Sequence, residues 1–104
     1  MNIQTYMESG KPILELVGEL DHHAAGEIMT AIESKIDRYL PRDCVLDLKK
    51  LTFMDSSGIA VIIKTYKRMQ EIGGRTCVDN VPVQPMKVLD ASGIERIIKI
   101  TAMS

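Results

Sequence analysis

Apolar and polar residues alternate near the start of the chain, in two segments that a cluster of turn residues separates. Residues 3–7 alternate loosely, and the apolar residues Ile13, Leu14, Leu16 and Val17 follow. Residues 8–12, between the two segments, include Ser, Gly and Pro, which set the dihedral angles of tight turns. The pattern therefore predicts two strands joined as a β-hairpin.

From Ala25 onward the apolar residues recur at spacings of three and four, the period of one helix face. The stripe consists of Ala25, Ile28, Met29, Ile32, Ile36 and Tyr39. Pro41 cannot continue a helix, and Asp21 is the best candidate to cap the amino end. These features predict a long amphipathic helix.

Strand and helix patterns alternate through the rest of the chain. Residues 44–48 predict a buried strand. A second helical stripe ends at the Gly73-Gly74 pair and contains Ile59, Ile62, Ile63, Tyr66 and Met69. Residues 75–78 predict a strand, and residues 80–90 predict a short helix with prolines at its start. Ile97, Ile98 and Ile100 predict a last strand.

The predicted order is β-β-α-β-α-β-α-β, within a single domain spanning residues 1–104. Strands that alternate with helices favour an α/β fold with a mostly parallel sheet, and the opening hairpin makes the sheet mixed. We expect four or five strands. Function in such sheets usually lies beyond the carboxyl ends of the strands. Two such junctions, residues 19–23 and residues 54–58, contain polar and charged residues.

Composition and charge exclude several classes of protein. Apolar residues make up 45 % of the chain and charged residues 26 %, as in ordinary globular proteins. The net charge of −1 disfavours nucleic-acid binding, because such proteins usually carry an excess of basic residues. Lys64, Lys67 and Arg68 are close enough for a local basic patch, but such clusters usually form a solvated helix face. Residues 1–6 lack the regions of a signal peptide, and no apolar stretch approaches the ~20 residues of a membrane span. We expect a cytoplasmic protein that binds no membrane.

The two cysteines, Cys44 and Cys77, stand alone within apolar segments. Neither has another cysteine or a histidine at metal-ligand spacing, and His22 and His23 lack further ligands. We therefore predict two buried, reduced thiols, and neither a metal nor a cofactor.

Ser56 and Ser57 are predicted to begin the second long helix, directly after Asp55. The first turn of a helix has unpaired N–H groups and a positive dipole end, so a phosphate on Ser56 would be tolerated there. The alternative interpretation is that Asp55 and the two serines are only capping residues, and the physical argument alone favours it. Gly58 lowers helix propensity by up to ~1 kcal/mol, and its missing side chain would allow another protein to approach closely.

Residues 53–59, Phe-Met-Asp-Ser-Ser-Gly-Ile, resemble the motif of the STAS domain family, which includes bacterial anti-sigma factor antagonists (anti-anti-sigma factors). The resemblance runs from about Ile13 to Ile100 and includes the segment 89–94. It implies a STAS-like fold, and it implies that Ser56, the first serine of the pair, is phosphorylated. Ser57 is a minor candidate.

Residues 18–24 are most similar to the sporulation type of antagonist, which acts on the anti-sigma factor of sigma-F. In that subfamily the loop aspartate faces the partner, so Asp21 is a candidate contact for an arginine, besides its role as a helix cap. The candidate partner-binding residues are Asp21, His22, Asp55, Ser56, Ser57, Gly58, Ile59 and Ile62. At least one of the two isoleucines must face the core.

The resemblance implies a partner switch rather than an enzyme. The unphosphorylated protein, a monomer when free, would bind an anti-sigma factor that is also a serine kinase and release its sigma factor. Phosphorylation of Ser56 with ATP would end this binding, and a serine phosphatase would restore it. Sporulation-type relatives usually continue past the last strand into a further helix, and we expect the contacts of that helix to be missing here.

Three alternatives stay open. A STAS module of a general stress pathway, or of another phosphatase-controlled partner switch, is the main one. A serine hydrolase would use Ser56 with His22 or His23 and with Asp21 or Asp55, although neither serine lies in a Gly-x-Ser-x-Gly elbow. A phosphocarrier would accept phosphate on His22 or His23, whose position at a helix start suits an anion.

Overall fold

The computed structural model describes residues 1–103 and contains six strands, three α-helices and one short 3₁₀ helix. In chain order the elements are β1 (Asn2–Glu8), β2 (Lys11–Leu20), α1 (His22–Tyr39), β3 (Asp43–Asp47), β4 (Leu51–Met54), α2 (Ser56–Glu71), β5 (Arg75–Val81), α3 (Val83–Ser92), the 3₁₀ helix (Ile94–Arg96) and β6 (Lys99–Ala102). Within the described residues, none of the helices combines the length and apolar character of a membrane span.

The strands form one sheet in the order β1-β2-β3-β5-β6, with β4 paired to β2 off this path. β1 and β2 form the antiparallel hairpin, and every other pairing is parallel. The turn of the hairpin contains Ser9 and Gly10, both with positive φ angles. The predicted α/β class with a mixed, mostly parallel sheet is confirmed.

β2 is long enough to pair with two strands in succession. Its first half pairs with β3, where Ile13 is opposite Val45, and its second half pairs with β4, where Leu20 is opposite Met54. The register shifts at Gly18, whose φ of +112° is accessible mainly to glycine. This bend brings the end of β4 beside the end of β2.

The core lies on one face of the sheet, under α1 and α2. Alternation along the strands directs Leu14, Leu46 and Val78 to that face, where they pack with Ile32 and Ile62 from the helices. The buried members of both predicted apolar stripes thus face the sheet, whereas Tyr39 at the end of the first stripe is 41 % exposed and Ile59 at the start of the second is half-buried.

The opposite face of the sheet carries a buried ionic cluster. Glu15 is only 4 % exposed, and its carboxylate lies 3.3 Å from the Lys49 ammonium and 3.1 Å from that of Lys50. Asp47, on the neighbouring strand, accepts a hydrogen bond from the Asn80 amide at 3.1 Å. Both carboxylates are therefore paired, as buried charges must be.

Three details differ from the sequence prediction. The sheet has six strands, because β4 is an additional strand of four residues. β5 extends to Val81, so α3 begins later than residue 80. Ile97 is 54 % exposed and precedes β6, because the 3₁₀ helix occupies residues 94–96.

The cysteines are free, and only one of them is buried as predicted. Cys44 faces the core, and burial raises the pKa of its thiol to about 12. Cys77 is half-buried and lies opposite Val45, on the face of the sheet away from α1 and α2.

Candidate functional site

The two junctions that the sequence singles out are neighbours in the structure. β2 and β4 are parallel and end together, and the backbone N–H of Asp55 donates to the carbonyl of Leu20 at 3.2 Å. α1 therefore begins beside α2. The site is the surface formed by these two helix starts and the strand ends that precede them.

Asp21 caps α1, as predicted. Its Oδ1 atom accepts a hydrogen bond from the backbone N–H of Ala24 at 3.0 Å, and its backbone is extended, as at other N-caps. The side chain is half-buried, so part of the carboxylate still faces solvent. The capping role therefore leaves room for contact with a partner.

Asp55 caps α2 and also reaches the start of α1. Its Oδ1 atom accepts from the backbone N–H of Ser57 at 2.8 Å, and its Oδ2 atom accepts from the backbone N–H of His22 at 3.2 Å. One carboxylate thus satisfies N–H groups of two helices, groups that have no partner within their own helices.

Ser56 is the first residue of α2, and its side chain is exposed, whereas Ser57 is half-buried. The Asp55 carboxylate accepts from the backbone N–H of Ser57 at 2.8 Å, so the cap leaves both hydroxyl groups unused. Of the two serines, Ser56 is the one that a second protein can reach.

Gly58 serves internal packing rather than the approach of a partner, contrary to the sequence interpretation. The glycine is buried, and a Cβ atom on it would lie 2.3 Å from Cγ of Met54 and 3.2 Å from Cδ2 of Leu20. Both side chains are fully buried. Gly58 therefore allows α2 to pack closely against the ends of β2 and β4.

The two candidate isoleucines of α2 have different environments. Ile59 is half-buried and lines an open groove of about 510 Å³ between α2 and α3, together with Ser56, Gln84, Lys87, Val88, Ala91 and Ser92. Ile62 is 0 % exposed and belongs to the core. The prediction of Ile62 as a contact residue is wrong, because it lies on the face of the helix that packs on the sheet.

His22 and His23 are exposed at the start of α1, with ring centroids 6.0 Å apart. The hydrogen bonds found for Asp21 and Asp55 come from backbone N–H groups rather than from an imidazole. Within residues 1–103, neither carboxylate orients a histidine as a hydrolase triad requires. The geometry therefore gives the hydrolase alternative no support.

Two residues of this surface escape the sequence analysis. Phe53 is 40 % exposed on β4, a large apolar ring immediately before Met54 and Asp55. Gln84, near the start of α3, is hydrogen-bonded to the backbone of Met54. A large apolar residue two positions before Asp55 was the available sequence signal for Phe53, whereas no local pattern indicates Gln84.

The surroundings of Ser56 carry charges of both signs. Asp21, Asp55 and the exposed Glu19 lie at the ends of β2 and β4, whereas Lys87 lies across the groove on α3. The acidic groups lie on the side of α1 and the basic group on the side of α3. Added negative charge at Ser56 would therefore lie between them.

The STAS domain family model matches residues 2–103. The chain belongs to the STAS domain family. An anti-sigma F factor antagonist from Paenibacillus polymyxa is 40 % identical over 102 residues, which cover 96 % of this chain and 87 % of the relative. The predicted resemblance to STAS proteins of the sigma-F type is confirmed.

Solved structures of STAS proteins share the fold. The anti-sigma factor antagonist SpoIIAA in its unphosphorylated form superposes with a TM-score of 0.78 at 28 % identity, covering 95 % of this chain and 87 % of SpoIIAA. The Bacillus cell fate determinant SpoIIAA in its phosphorylated form gives 0.68 at 30 % identity, covering 95 % and 90 %. SpoIIAA, which is similar to this chain, has thus been solved in both an unphosphorylated and a phosphorylated form.

Proposed function

We propose that this protein is an anti-sigma factor antagonist, and that its unphosphorylated form binds an anti-sigma factor serine kinase and so releases a sigma factor. The observation that carries the proposal is the exposed Ser56 at the start of α2, on one surface with Asp21 and Asp55. Similarity to an anti-sigma F factor antagonist and to both forms of SpoIIAA supports it.

Phosphorylation of Ser56 is the step that switches the protein off. The Ser56 hydroxyl oxygen attacks the γ-phosphorus of ATP held by the kinase, the bond to the bridging oxygen breaks, and ADP leaves. The hydroxyl proton passes to a base of the kinase. This chain contributes the positioned nucleophile, because an exposed residue in the first turn can enter another protein's active site.

The fold itself tolerates the phosphate. The group carries about −1.5 to −2 charge at neutral pH, and the amino end of a helix favours negative charge. Ser56 is exposed, so its modification displaces no core side chain. We therefore expect the phosphorylated protein to keep its fold.

The docked complex does not tolerate the phosphate. Asp21, Asp55 and Glu19 already make this surface acidic on the side of α1, and an interface would remove water from the added charge. Leaving an unpaired charge in a buried interface costs about 3–5 kcal/mol. At ~1.4 kcal/mol per decade, affinity falls by roughly two to four orders of magnitude.

The remaining parts of the switch act on the same serine. A separate serine phosphatase hydrolyses the phosphate and restores the binding form. The antagonist catalyses no reaction of its own, acts in the cytoplasm and is a monomer when free.

The proposed partner surface consists of the exposed and half-buried residues of the site, namely Asp21, His22, Asp55, Ser56, Ser57 and Ile59, with Phe53 added from the structure.

The experiment is phosphorylation by the serine-kinase anti-sigma factor of the source cell, with phosphosite mapping by mass spectrometry. We expect one phosphate on Ser56, and none on the Ser56→Ala variant. Ser57→Ala is the matched control, since it alters the neighbouring hydroxyl and should still be phosphorylated. Phosphate on Ser57 alone, or none on either serine, would refute the proposal.

A further inference from the structure

Met54 ends β4 two residues before Ser56, and its backbone polar groups face away from β2. The Met54 N–H donates to the Gln84 Oε1 atom at 2.9 Å, and the Gln84 Nε2 group donates to the Met54 carbonyl at 2.8 Å. A neighbouring strand would make the same two bonds. Within residues 1–103, β4 pairs only with β2, so the side chain of Gln84 takes the place of a strand on the other edge.

We propose that Gln84 is a positioning residue for the phosphorylation of Ser56, an inference that rests on the proposed function. Its paired hydrogen bonds fix the backbone of Met54, and thereby the short segment that presents the Ser56 hydroxyl. Gln84 does not touch the reacting atoms. It acts through Met54 and Asp55.

The segment is held on its other side by β2 and α1. Asp55 donates its N–H to Leu20, and its carboxylate accepts from His22. The Met54 side chain is locked in the core beside Gly58. Gln84 supplies the restraint from α3, so α3 and the helix carrying Ser56 are joined through the end of β4.

Gln84 is itself exposed, and it lines the groove beside Ser56 and Ile59. The two bonds to Met54 are part-buried, since they join an exposed side chain to the backbone of a buried residue, and Gln84 itself is not part of the hydrophobic core. Transfer of a phosphoryl group depends strongly on the position of the nucleophile, since a displacement near 1 Å can cost about 100-fold in rate. A loosened Met54 would affect the chemical step more than docking of the whole surface.

The test uses the full chain and two variants of Gln84. Gln84→Met has a similar length and makes neither bond, whereas Gln84→Glu keeps the acceptor for the Met54 N–H but places a carboxylate oxygen against the Met54 carbonyl. Lys87→Met is the matched control, because it alters the same groove and helix without touching Met54. A cooperative thermal unfolding transition well above the assay temperature shows that each variant is folded, and Gln84→Met should be somewhat less stable because two part-buried backbone groups lose their partners.

The first measurement is amide hydrogen exchange at Met54 by NMR. Loss of both bonds should raise the exchange rate about tenfold in Gln84→Met, with a smaller rise in Gln84→Glu and none in Lys87→Met. The second is the kinetics of Ser56 phosphorylation by the kinase anti-sigma factor. In Gln84→Met we expect kcat to fall about tenfold with KM nearly unchanged, and a smaller fall in Gln84→Glu.

Unchanged exchange at Met54 in Gln84→Met would overturn the inference, because the bonds would then not hold the segment. Faster exchange with an unchanged kcat would also overturn it, since the role of Gln84 would then be structural only. Absence of phosphate from Ser56 in the unsubstituted protein is a different result: it would refute the proposed function itself, and with it the positioning role. The exchange rates would still report whether Gln84 restrains Met54.

Discussion

The Asp55 carboxylate accepts a hydrogen bond from the backbone N–H of His22 at 3.2 Å, although 33 residues separate the two in the chain. The same carboxylate caps α2 through Ser57. The amino ends of α1 and α2 are thus held side by side by one side chain, and both dipoles direct their positive ends to the surface that carries Ser56.

Asp55→Ala should lower the free energy of unfolding by about 1–3 kcal/mol, because an N-cap is worth ~1 kcal/mol and this one serves two helices. Asp21→Ala removes a cap that serves only α1, so about 1 kcal/mol is expected. Urea denaturation of both variants measures the difference. Equal losses would mean that the bond to His22 contributes nothing.

Asp21→Asn separates the two roles of Asp21. Asparagine caps a helix as well as aspartate, so the free energy of unfolding should change by less than ~0.5 kcal/mol. Affinity for the anti-sigma factor should fall about tenfold or more, because the substitution removes the charge that we propose to face an arginine of the partner. Calorimetric titration measures this. Glu27→Gln, an exposed carboxylate farther along α1, is the control. Unchanged affinity in Asp21→Asn would leave Asp21 a cap only.

Gly58→Ala should destabilise the protein by about 1–3 kcal/mol, because the added methyl group overpacks the space beside Met54 and Leu20. Gly26→Ala in α1 is the matched control. Gly26 is exposed and a Cβ atom there meets nothing within 4 Å, so the same change should stabilise by about 0.5–1 kcal/mol. Thermal and urea unfolding give both values. Stabilisation by Gly58→Ala would refute the packing role.

Acid should weaken the fold through Glu15. Burial by itself would raise the pKa of Glu15, but Lys50 and Lys49 more than offset it and hold the pKa below its ordinary value of 4.5. The charged form is therefore favoured in the folded state. This contribution to stability is complete above about pH 4.5 and is lost as the pH falls through the lower folded pKa.

Unfolding free energies of the unsubstituted protein and Glu15→Gln between pH 7 and pH 3 test this. Glu15→Gln should be the less stable at pH 7, and the difference should shrink below pH 4.5. Glu27→Gln, which removes an exposed carboxylate of α1, is the matched control. If the difference in unfolding free energy between the unsubstituted protein and Glu15→Gln stayed constant from pH 7 to pH 3, the account would be contradicted.

Much of this fold follows from local patterns. The stripe from Ala25 to Tyr39 and the cap Asp21 match α1, and the hairpin matches β1 and β2. β4 was missed because Leu51 and Met54 are buried while the two residues between them are exposed, so the segment shows no alternation. Its pairing also depends on the bend at Gly18, which no local signal reveals.

The site is predictable where its residues are adjacent in the chain or follow the ends of parallel strands. Asp55, Ser56 and Ser57 form a motif, and parallel strands placed Asp21 beside them. The contact between Gln84 and Met54 spans 30 residues and depends on how α3 packs against β4. The periodic spacing identified Ile62 as part of the apolar stripe of α2. It did not determine which residues of that stripe a partner protein could still contact.

The central claim is that phosphate on Ser56 blocks a partner without disturbing the fold. The most direct test is calorimetric titration of the serine-kinase anti-sigma factor with the unmodified and the Ser56-phosphorylated protein, with amide NMR spectra of both free forms. We expect the Kd to rise by roughly two to four orders of magnitude while the spectra differ only near the start of α2. Equal Kd values for the two forms would contradict the account.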